Sequence, residues 1–155
     1  KLKKINSNIE FSSDFIIAYP EENSQDFNYT LELIKRIKFI NSYSFIFSPR
    51  PGTVASSLKL IDKKIAQYRL NIIQKELFKN QISRNKTLEN KIVKVLVENQ
   101  MKDKVKLFGR TPHMTPVIFD GEIKNIGKIV EVKISNSNQN TLFGNINLDY
   151  NKKVA

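Results

Sequence analysis

The chain has 155 residues, of which 40% are hydrophobic and 26% charged, a composition typical of globular domains. It contains no cysteine, which excludes disulfides, thiolate metal sites, cysteine nucleophiles and cysteine-ligated iron–sulfur clusters within these residues. No stretch approaches the roughly 20 apolar residues of a membrane span, so we expect a cytoplasmic protein with no membrane partner. The first residue is lysine rather than methionine, which suggests a fragment, a processed product or a trimmed sequence.

The net charge of +11 favours an anionic partner such as RNA, because Lys and Arg release counterions when they neutralise phosphates. Residues 1–86 carry 15 basic against 8 acidic side chains, residues 87–150 carry 9 against 7, and the tail at 151–155 adds two lysines. A genome biased toward Lys, Asn and Ile explains this excess equally well, so charge alone does not establish RNA binding.

The first half of the chain predicts a βαβ unit. Residues 15–19 form a continuous apolar run, typical of a parallel strand buried on both faces. Residues 24–38 have apolar positions at helical spacing, with Asn23 or Ser24 as the N-cap, and residues 43–47 predict a second strand. Such strands are parallel, so the segments that follow them share the carboxy-terminal sheet edge, where α/β folds bind ligands.

Residues 61–86 predict a longer helix that packs back on the α/β part. Its expected apolar stripe is Ile61, Ile65, Tyr68, Ile72, Ile73, Leu77 and Ile82. Its expected off-stripe charges are Lys63, Lys64, Arg69, Lys75 and Lys79.

Beyond Lys86 the hydrophobic period changes to two, which predicts strands at 93–98 and 128–134. Shorter strands are expected at 104–110, 115–119 and 141–148, separated by turn signals. Five short strands indicate a small OB-like antiparallel β-barrel, so the fold class is α/β followed by all-β. The boundary is expected near 84–90, and we find no internal repeat.

Arg50 lies in a turn that is rich in residues of restricted geometry. The segment Phe47–Thr53 (FSPRPGT) directly follows a predicted strand and contains two prolines and a glycine. A rigid base of this kind suits presentation of Arg50 to a carboxylate, phosphate or cofactor edge. A rigid turn with a solvated Arg50 is the alternative.

Several segments resemble motifs of a known enzyme family. Residues 12–22 (SSDFIIAYPEE) and 43–53 (YSFIFSPRPGT) resemble paired motifs of the radical S-adenosylmethionine methylthiotransferases. Residues 107–112 (LFGRTP), 126–134 (IGKIVEVKI) and 141–146 (TLFGNI) resemble the TRAM domain that closes those enzymes. The resemblance covers nearly the whole chain and is nearest to the MiaB-type branch, which methylthiolates an isopentenylated tRNA adenosine.

The resemblance implies a domain plan and a set of cofactors. Residues 1–86 would be the C-terminal portion of a radical S-adenosylmethionine (TIM-like) barrel with a linking helix, residues 87–150 a TRAM RNA-binding barrel, and 151–155 a basic tail. The full-length family uses S-adenosylmethionine and two 4Fe–4S clusters, for which this chain has no cysteine ligands. We therefore expect no catalytic or metal-binding residue here, and no activity without the missing N-terminal domains.

The resemblance also implies cofactor-binding residues at the carboxy-terminal sheet edge, namely Ile16, Ala18, Glu22 and Arg50. The family usually has Gly-Phe-Pro-Gly-Glu-Thr where this chain has Ala18–Asn23, so both glycines are replaced, by Ala18 and Glu21. The added side chains are expected to weaken cofactor binding. A solvated glutamate beside a helix N-terminus is an equally good interpretation of Glu22.

In the barrel the expected partner is the anticodon arm of tRNA. The residues expected to contact it are Lys106, Arg110, Lys128 and Lys133, although exposed lysines are solvent-facing by default. Phe108 and Phe143 are candidates for base stacking, but core positions are the more common outcome for such aromatic residues. His113 has no companions at metal-ligand spacing and is interpreted as a loop histidine.

Two further functions are open at this point. One is the sister branch of the family, which methylthiolates an aspartate of a ribosomal protein, although residues 109–112 favour the tRNA branch. The other is a stand-alone TRAM-type RNA-binding protein.

Overall fold

The computed structural model describes residues 1–102 and 105–147, and it divides the chain into two compact units, Lys1–Asn80 and Gln81–Ala155. The elements are α1 (Leu2–Ile5), β1 (Asp14–Ile17), α2 (Ser24–Ile37), β2 (Tyr43–Ile46), α3 (Lys63–Lys86), β3 (Ile92–Gln100), β4 (Lys106–Arg110), β5 (Pro116–Asp120), β6 (Ile129–Ser137) and β7 (Leu142–Ile146), with 3₁₀ turns at Val54–Ser57 and Ile123–Asn125. No helix in the described ranges is both long and apolar enough to cross a membrane. The tail at 151–155 and positions 104 and 148 of two predicted strands lie outside the described residues.

The βαβ prediction is confirmed in the first unit. Strands β1 and β2 pair in parallel, from Asp14 opposite Tyr43 to Ile17 opposite Ile46. Helix α2 begins after Asn23, whose side-chain oxygen accepts hydrogen bonds from two backbone N–H groups of the first turn. The backbone N–H of Asn23 in turn donates to the Asp26 carboxylate, which completes a capping box.

The prediction that β1 is buried on both faces is wrong. Phe15 and Ile17 lie in the core of the first unit, whereas the side chain of Ile16 is 59% exposed and that of Phe45 on β2 is 55% exposed. The reason is that the core partners of β1, on α2 and α3, lie on one side of the two-stranded sheet. The strand is also shorter than predicted, because Ala18 adopts the left-handed conformation (φ 59°) and cannot continue it.

The predicted apolar stripe of α3 is confirmed at Ile73 and Leu77, which are buried, and it is wrong at Ile65 and Ile82, which are exposed. The buried face of this helix in the first unit carries Ala66, Arg69, Ile73 and Leu77, at spacings of three and four residues. Tyr68, expected inside, is 67% exposed. The buried face therefore differs from the prediction in part, because Arg69 lies in an internal ion pair that the hydrophobic pattern does not report.

The second unit contains a closed five-stranded barrel in the order β3-β4-β5-β7-β6, which confirms the predicted number of strands. The all-antiparallel arrangement is wrong for one pair, since β5 and β7 run parallel, with Val117 opposite Leu142. Directions can alternate around a closed ring only when the number of strands is even. A five-stranded ring therefore requires at least one parallel pair.

Period-two alternation determines which side chains fill the barrel, as predicted for β3 and β6. Among the described residues, nine buried side chains form its core: Val95, Val97, Leu107, Val117, Phe119, Val130, Val132, Ile134 and Leu142. Their neighbours along each strand point to the outer face.

Two hairpins of the barrel share one register, so the expectation of no internal repeat is wrong. In β3–β4, Val97 lies opposite Gly109 and Asn99 opposite Phe108, with a bulge in between. In β6–β7 the corresponding pairs are Ile134 with Gly144 and Asn136 with Phe143, again across a bulge. The two hairpins are therefore related by an approximate two-fold operation, and β5 lies between β4 and β7.

The glycine of each hairpin permits a close backbone approach. A Cβ atom on Gly109 would lie 2.2 Å from the Leu96 carbonyl oxygen, and one on Gly144 would lie 2.3 Å from the Lys133 carbonyl oxygen. Leu96 and Lys133 are also equivalent positions of the two hairpins. Both bulges thus require glycine opposite them for the same steric reason.

Candidate cofactor edge and nucleic-acid interface

The loops after β1 and β2 meet at the carboxy-terminal edge of the sheet, as the βαβ topology predicts. The rings of Tyr19 and Phe47 contact edge to face, with centroids 5.0 Å apart. The backbone N–H of Phe47 donates to the carbonyl of Ile17 at 2.8 Å. The two segments that resemble family motifs therefore form one continuous edge.

The two positions where the family usually has glycine keep a backbone that suits glycine. Ala18 has φ 59° and Glu21 has φ 71°, both in the left-handed region. A residue with a Cβ atom is strained there by roughly 1–2 kcal/mol. The loop of this chain thus has a backbone that suits glycine at both positions, while Ala18 and Glu21 add side chains there.

The Glu22 carboxylate holds the loop that contains these two residues. One of its oxygens, Oε2, accepts a hydrogen bond from the Ala18 backbone N–H at 3.0 Å. The other, Oε1, lies 2.7 Å from Nη1 of Arg69, which also donates to the Glu22 carbonyl at 2.8 Å. The Glu22 side chain is only 12% exposed, so it is not the solvated helix-terminal glutamate of the alternative interpretation.

Arg69 is the residue of this edge that the sequence analysis placed wrongly, on the exposed face of its helix. Its side chain is 10% exposed, and its guanidinium carbon lies 5.4 Å from the Phe27 ring centroid. The helical spacing of Ala66, Arg69, Ile73 and Leu77 could have indicated this buried face. The pattern is complete only if the arginine is counted as a buried residue.

The other two predicted cofactor residues lie apart from the Ala18–Glu22 loop contacts. Ile16 points to the exposed face of the sheet. Arg50 is exposed, and its carbonyl accepts hydrogen bonds from the Thr53 N–H and hydroxyl at 3.2 and 2.8 Å, which fix the turn that carries it. The structure therefore brings Ala18 and Glu22 together, and it leaves Ile16 and Arg50 as exposed groups.

The predicted RNA-binding residues do not form one cluster. Lys106 and Lys133 lie in the same transverse row of the barrel, joined through Asp120 and Asn145 on the two intervening strands. Arg110 is at the other end of β4, and its cross-strand neighbour on β3 is Leu96. Lys128 directly precedes β6, and its carbonyl accepts a hydrogen bond from the Val97 N–H at 3.0 Å.

The guanidinium of Arg110 already has two partners. Its Nε lies 3.1 Å from Oε1 of Glu98, and its guanidinium carbon lies 5.5 Å from the Phe108 ring centroid. Both members of the ion pair are about one-third exposed, at 37% and 34%. A phosphate that binds Arg110 must therefore compete with Glu98 for it.

Phe108 and Phe143 are not core residues, so the favoured interpretation of these aromatic residues is wrong. Both are half-buried on the outer face, because their neighbours Leu107, Gly109, Leu142 and Gly144 occupy the inward positions. In register, Phe108 lies opposite Ile118, and Ile118 lies opposite Phe143.

The described residues offer few side chains suited to binding a metal ion. No group of three or more His, Cys, Asp or Glu side chains that could hold a metal ion occurs within residues 1–102 and 105–147. His113 lies half-buried in the turn between β4 and β5, where it was expected.

The barrel corresponds to a recognised domain. Residues 86–146, which include all five strands of the barrel, match the TRAM domain.

The whole chain is similar to larger proteins. It is 67% identical over 155 residues to the tRNA-2-methylthio-N(6)-dimethylallyladenosine synthase of Pelagibacter ubique (strain HTCC1062), covering 100% of the chain and 35% of that protein. The synthase of the same name from Ruthia magnifica subsp. Calyptogena magnifica is 46% identical over 147 residues, covering 94% of the chain and 33% of that protein. The synthase from Orientia tsutsugamushi (strain Ikeda) is 38% identical over 151 residues, covering 96% and 34%.

The chain is similar along nearly all of its length to one part of these synthases, and it spans about a third of their length, between 33% and 35%.

Proposed function

We propose that this chain is the portion of a tRNA methylthiotransferase that contributes part of the cofactor and substrate pocket and the tRNA-binding barrel. The parent enzyme adds a methylthio group to an isopentenylated adenosine next to the anticodon. The observation that carries this proposal is the 67% identity over all 155 residues to a protein named for that product. In the proposal, residues 1–86 complete a radical S-adenosylmethionine barrel, residues 87–150 form the TRAM domain, and 151–155 are a basic tail.

The exposed face of the first unit supports a role as part of a larger barrel. Parallel sheets occur with both faces covered, yet Ile16, Tyr43 and Phe45 are between 55% and 66% exposed. The rings of Tyr43 and Phe45 lie stacked with centroids 6.5 Å apart, which makes one continuous apolar surface. In the proposal, further strands of the parent enzyme continue the sheet into a closed barrel, and this face lines the interior of that barrel.

The residues of this chain do not fit an iron–sulfur cluster, because it has no cysteine. Both 4Fe–4S clusters of the proposed parent are therefore held by other parts of it. S-adenosylmethionine, when bound there, supplies the radical. In the proposal, Ile16 and Arg50 offer an apolar surface and a cation to that cofactor, while Glu22 positions the Ala18 backbone instead of binding the ligand.

The proposed partner is the anticodon arm of tRNA, in the cytoplasm. The TRAM domain supports binding of RNA by the second unit. The relatives described above are named for a tRNA product, which favours tRNA over the ribosomal protein that the sister branch modifies.

A chimaeric enzyme tests the proposal. This chain replaces the matching third of the Pelagibacter ubique synthase, and the chimaera is produced in a bacterial strain that lacks the activity. We expect mass spectrometry of tRNA nucleosides to detect the methylthiolated adenosine. The unaltered synthase is the positive control, and the synthase without this segment is the negative control. A folded chimaera that leaves the adenosine unmethylthiolated, beside an active control, contradicts the proposal.

A further inference from the structure

Five residues form a continuous row on the outer face of the barrel. We call it the outer row, and it consists of Asn99, Phe108, Ile118, Phe143 and Asn136, in that order across β3, β4, β5, β7 and β6. Each is the direct cross-strand partner of the next. The two asparagines are exposed, and the three apolar members are half-buried.

The outer row is symmetric in composition. The two-fold relation between the hairpins makes Phe108 equivalent to Phe143 and Asn99 equivalent to Asn136, with Ile118 between them. Neighbouring strands are about 4.8 Å apart, so the two phenylalanines are separated by roughly 10 Å across the barrel surface. The row therefore presents two equivalent aromatic positions with an apolar side chain between them and amides at both ends.

Arg110 makes the two aromatic positions different from each other. Its guanidinium carbon lies 5.5 Å from the Phe108 ring centroid, and Glu98 holds it there. The equivalent position beside Phe143 is Asn145, which carries no charge. A strand of RNA that follows the row therefore meets a guanidinium plane at one end only, which gives the row a direction.

The chemistry of the row fits unpaired nucleobases. Every nucleobase has a π-face that stacks on an aromatic ring, whereas the bases of a duplex stack on each other and do not offer that face. The flanking amides can both donate and accept hydrogen bonds, as base edges require. We propose that Phe108 and Phe143 each stack one unpaired nucleobase, so that the outer row binds a single-stranded segment of RNA. This inference rests on the proposed RNA binding and deepens it.

Tryptophan fluorescence tests for stacking directly. The chain has no tryptophan, so Phe108→Trp and Phe143→Trp each introduce a single indole fluorophore. The probes are a 17-nucleotide anticodon stem-loop RNA, which has an unpaired loop, and a blunt RNA duplex of 17 base pairs. We expect the stem-loop to quench both tryptophans and the duplex to quench neither. Ile129→Trp is the matched control, because Ile129 is 66% exposed on β6 outside the row, and its fluorescence should not respond.

Affinity provides the second measurement. Phe108→Leu and Phe143→Leu keep an apolar side chain and remove the ring. Loss of one stacked base corresponds to roughly 5- to 150-fold weaker binding of the stem-loop in fluorescence anisotropy. The slope of log affinity against log salt should not change, because no phosphate contact is removed. Thermal unfolding of each variant confirms that its barrel is folded.

The outcomes separate this inference from the proposed function. If the wild-type chain binds the stem-loop and both leucine variants bind it with the same affinity, the stacking proposal is overturned. The proposed RNA binding then still stands. Equal quenching by the duplex also overturns it. Absence of any binding by the wild-type chain at low salt overturns both. If a leucine variant does not fold, the tryptophan variants still decide the question.

Discussion

Glu22 makes contacts with its own unit through both oxygens of its side chain. Its carboxylate accepts the Ala18 N–H and pairs with Arg69, so both oxygens are used inside the first unit. Ala18 and Glu21 remain in left-handed backbone conformations that are unfavourable for residues with a Cβ atom. The ion pair therefore supplies contacts that hold a strained loop in place at the sheet edge.

Removal of Arg69 is expected to loosen this loop. Arg69→Ala leaves the Glu22 carboxylate nearly buried without its cation, which costs about 3 kcal/mol or more. We expect a lower urea midpoint for the first unit and faster hydrogen exchange at the Ala18 amide, measured by NMR. Arg69→Met keeps packing against Phe27 and separates loss of charge from loss of volume.

Lys79→Ala is the matched control for that experiment. Lys79 pairs with Glu76 at 3.8 Å on the same helix, and its side chain is 75% exposed. An exposed pair of this kind contributes little, so stability and Ala18 exchange should not change. Equal effects of the two alanine substitutions contradict the role assigned to Arg69.

The contacts of individual side chains were the least predictable property of the chain from its sequence. It identified Asn23 as a possible cap and placed the Ala18–Glu22 segment at the carboxy-terminal edge of the sheet, because capping and the order of strand and helix are local properties. It placed Arg69 outside the helix stripe, because a hydrophobic count assigns every arginine to solvent. Only the three-dimensional approach of Glu22, 47 positions earlier, makes that arginine an internal residue.

Among the elements, the two bulged hairpins depend on their glycines. The Leu96 carbonyl oxygen lies 2.2 Å from a Cβ atom built on Gly109, which is backbone that cannot move aside as a flexible side chain can. The same holds for Gly144 and the Lys133 carbonyl. Register in both hairpins is thus fixed by a steric requirement as well as by inward-facing apolar residues.

Alanine at either hairpin glycine is expected to destabilise the barrel. The clash must be relieved by moving β4 from β3, or β7 from β6, at a cost of about 3 kcal/mol. We expect the thermal midpoint of the barrel to fall for Gly109→Ala and Gly144→Ala by similar amounts, as measured by circular dichroism. The similarity follows from the two-fold relation.

Gly127→Ala is the control for these two variants. Gly127 has open space around its Cα atom but a positive φ of 81°, so alanine there costs only the left-handed strain of roughly 1 kcal/mol. A loss of stability as large as that of Gly109→Ala indicates that close backbone approach is not the reason for the hairpin glycines.

Hydrophobic periodicity predicted which segments are helices and which are strands. It predicted the pairing of the strands only in part. Alternation in β3 and β6 indicates which side chains face inward, and the structure confirms it. The parallel β5–β7 pair follows from closure of five strands, a property of the ring that no single strand contains. The hairpin repeat was missed because only a few letters recur, whereas the bulge and the facing glycine recur in register.

For the whole molecule, the charge of +11 is not concentrated on the barrel. Lys106 and Lys133 share one transverse row, while Arg110 is bound to Glu98 at 3.1 Å. Replacing a lysine that contacts phosphate lowers by one the number of counterions released on binding. Replacing Arg110 also leaves the Glu98 carboxylate without its cation. The two kinds of substitution are therefore expected to differ in their dependence on salt.

We expect Lys133→Ala to weaken binding of the anticodon stem-loop and to reduce the slope of log affinity against log salt by about 0.7–1. Arg110→Ala should weaken binding as well, because the freed Glu98 repels phosphate. Both are measured by fluorescence anisotropy over a salt series. Lys79→Ala, in the first unit, serves as the control with an unchanged slope. Unchanged affinity in Lys133→Ala and Arg110→Ala removes these two residues from the interface.

The arrangement of the five strands also has a consequence for how the barrel assembles. A turn of five residues, 111–115, joins β4 to β5, and its Thr111 N–H donates to the Thr115 carbonyl at 3.1 Å. Strands β3, β4 and β5 thus form a local meander, and β6 and β7 form a separate local hairpin. Closure requires pairs that are distant in sequence, β3 with β6 and β5 with β7, so it carries the larger loss of chain entropy. We therefore expect the docking of one nearly equivalent hairpin against the other to be the late step in folding, with closure of the ring at the parallel β5–β7 pair.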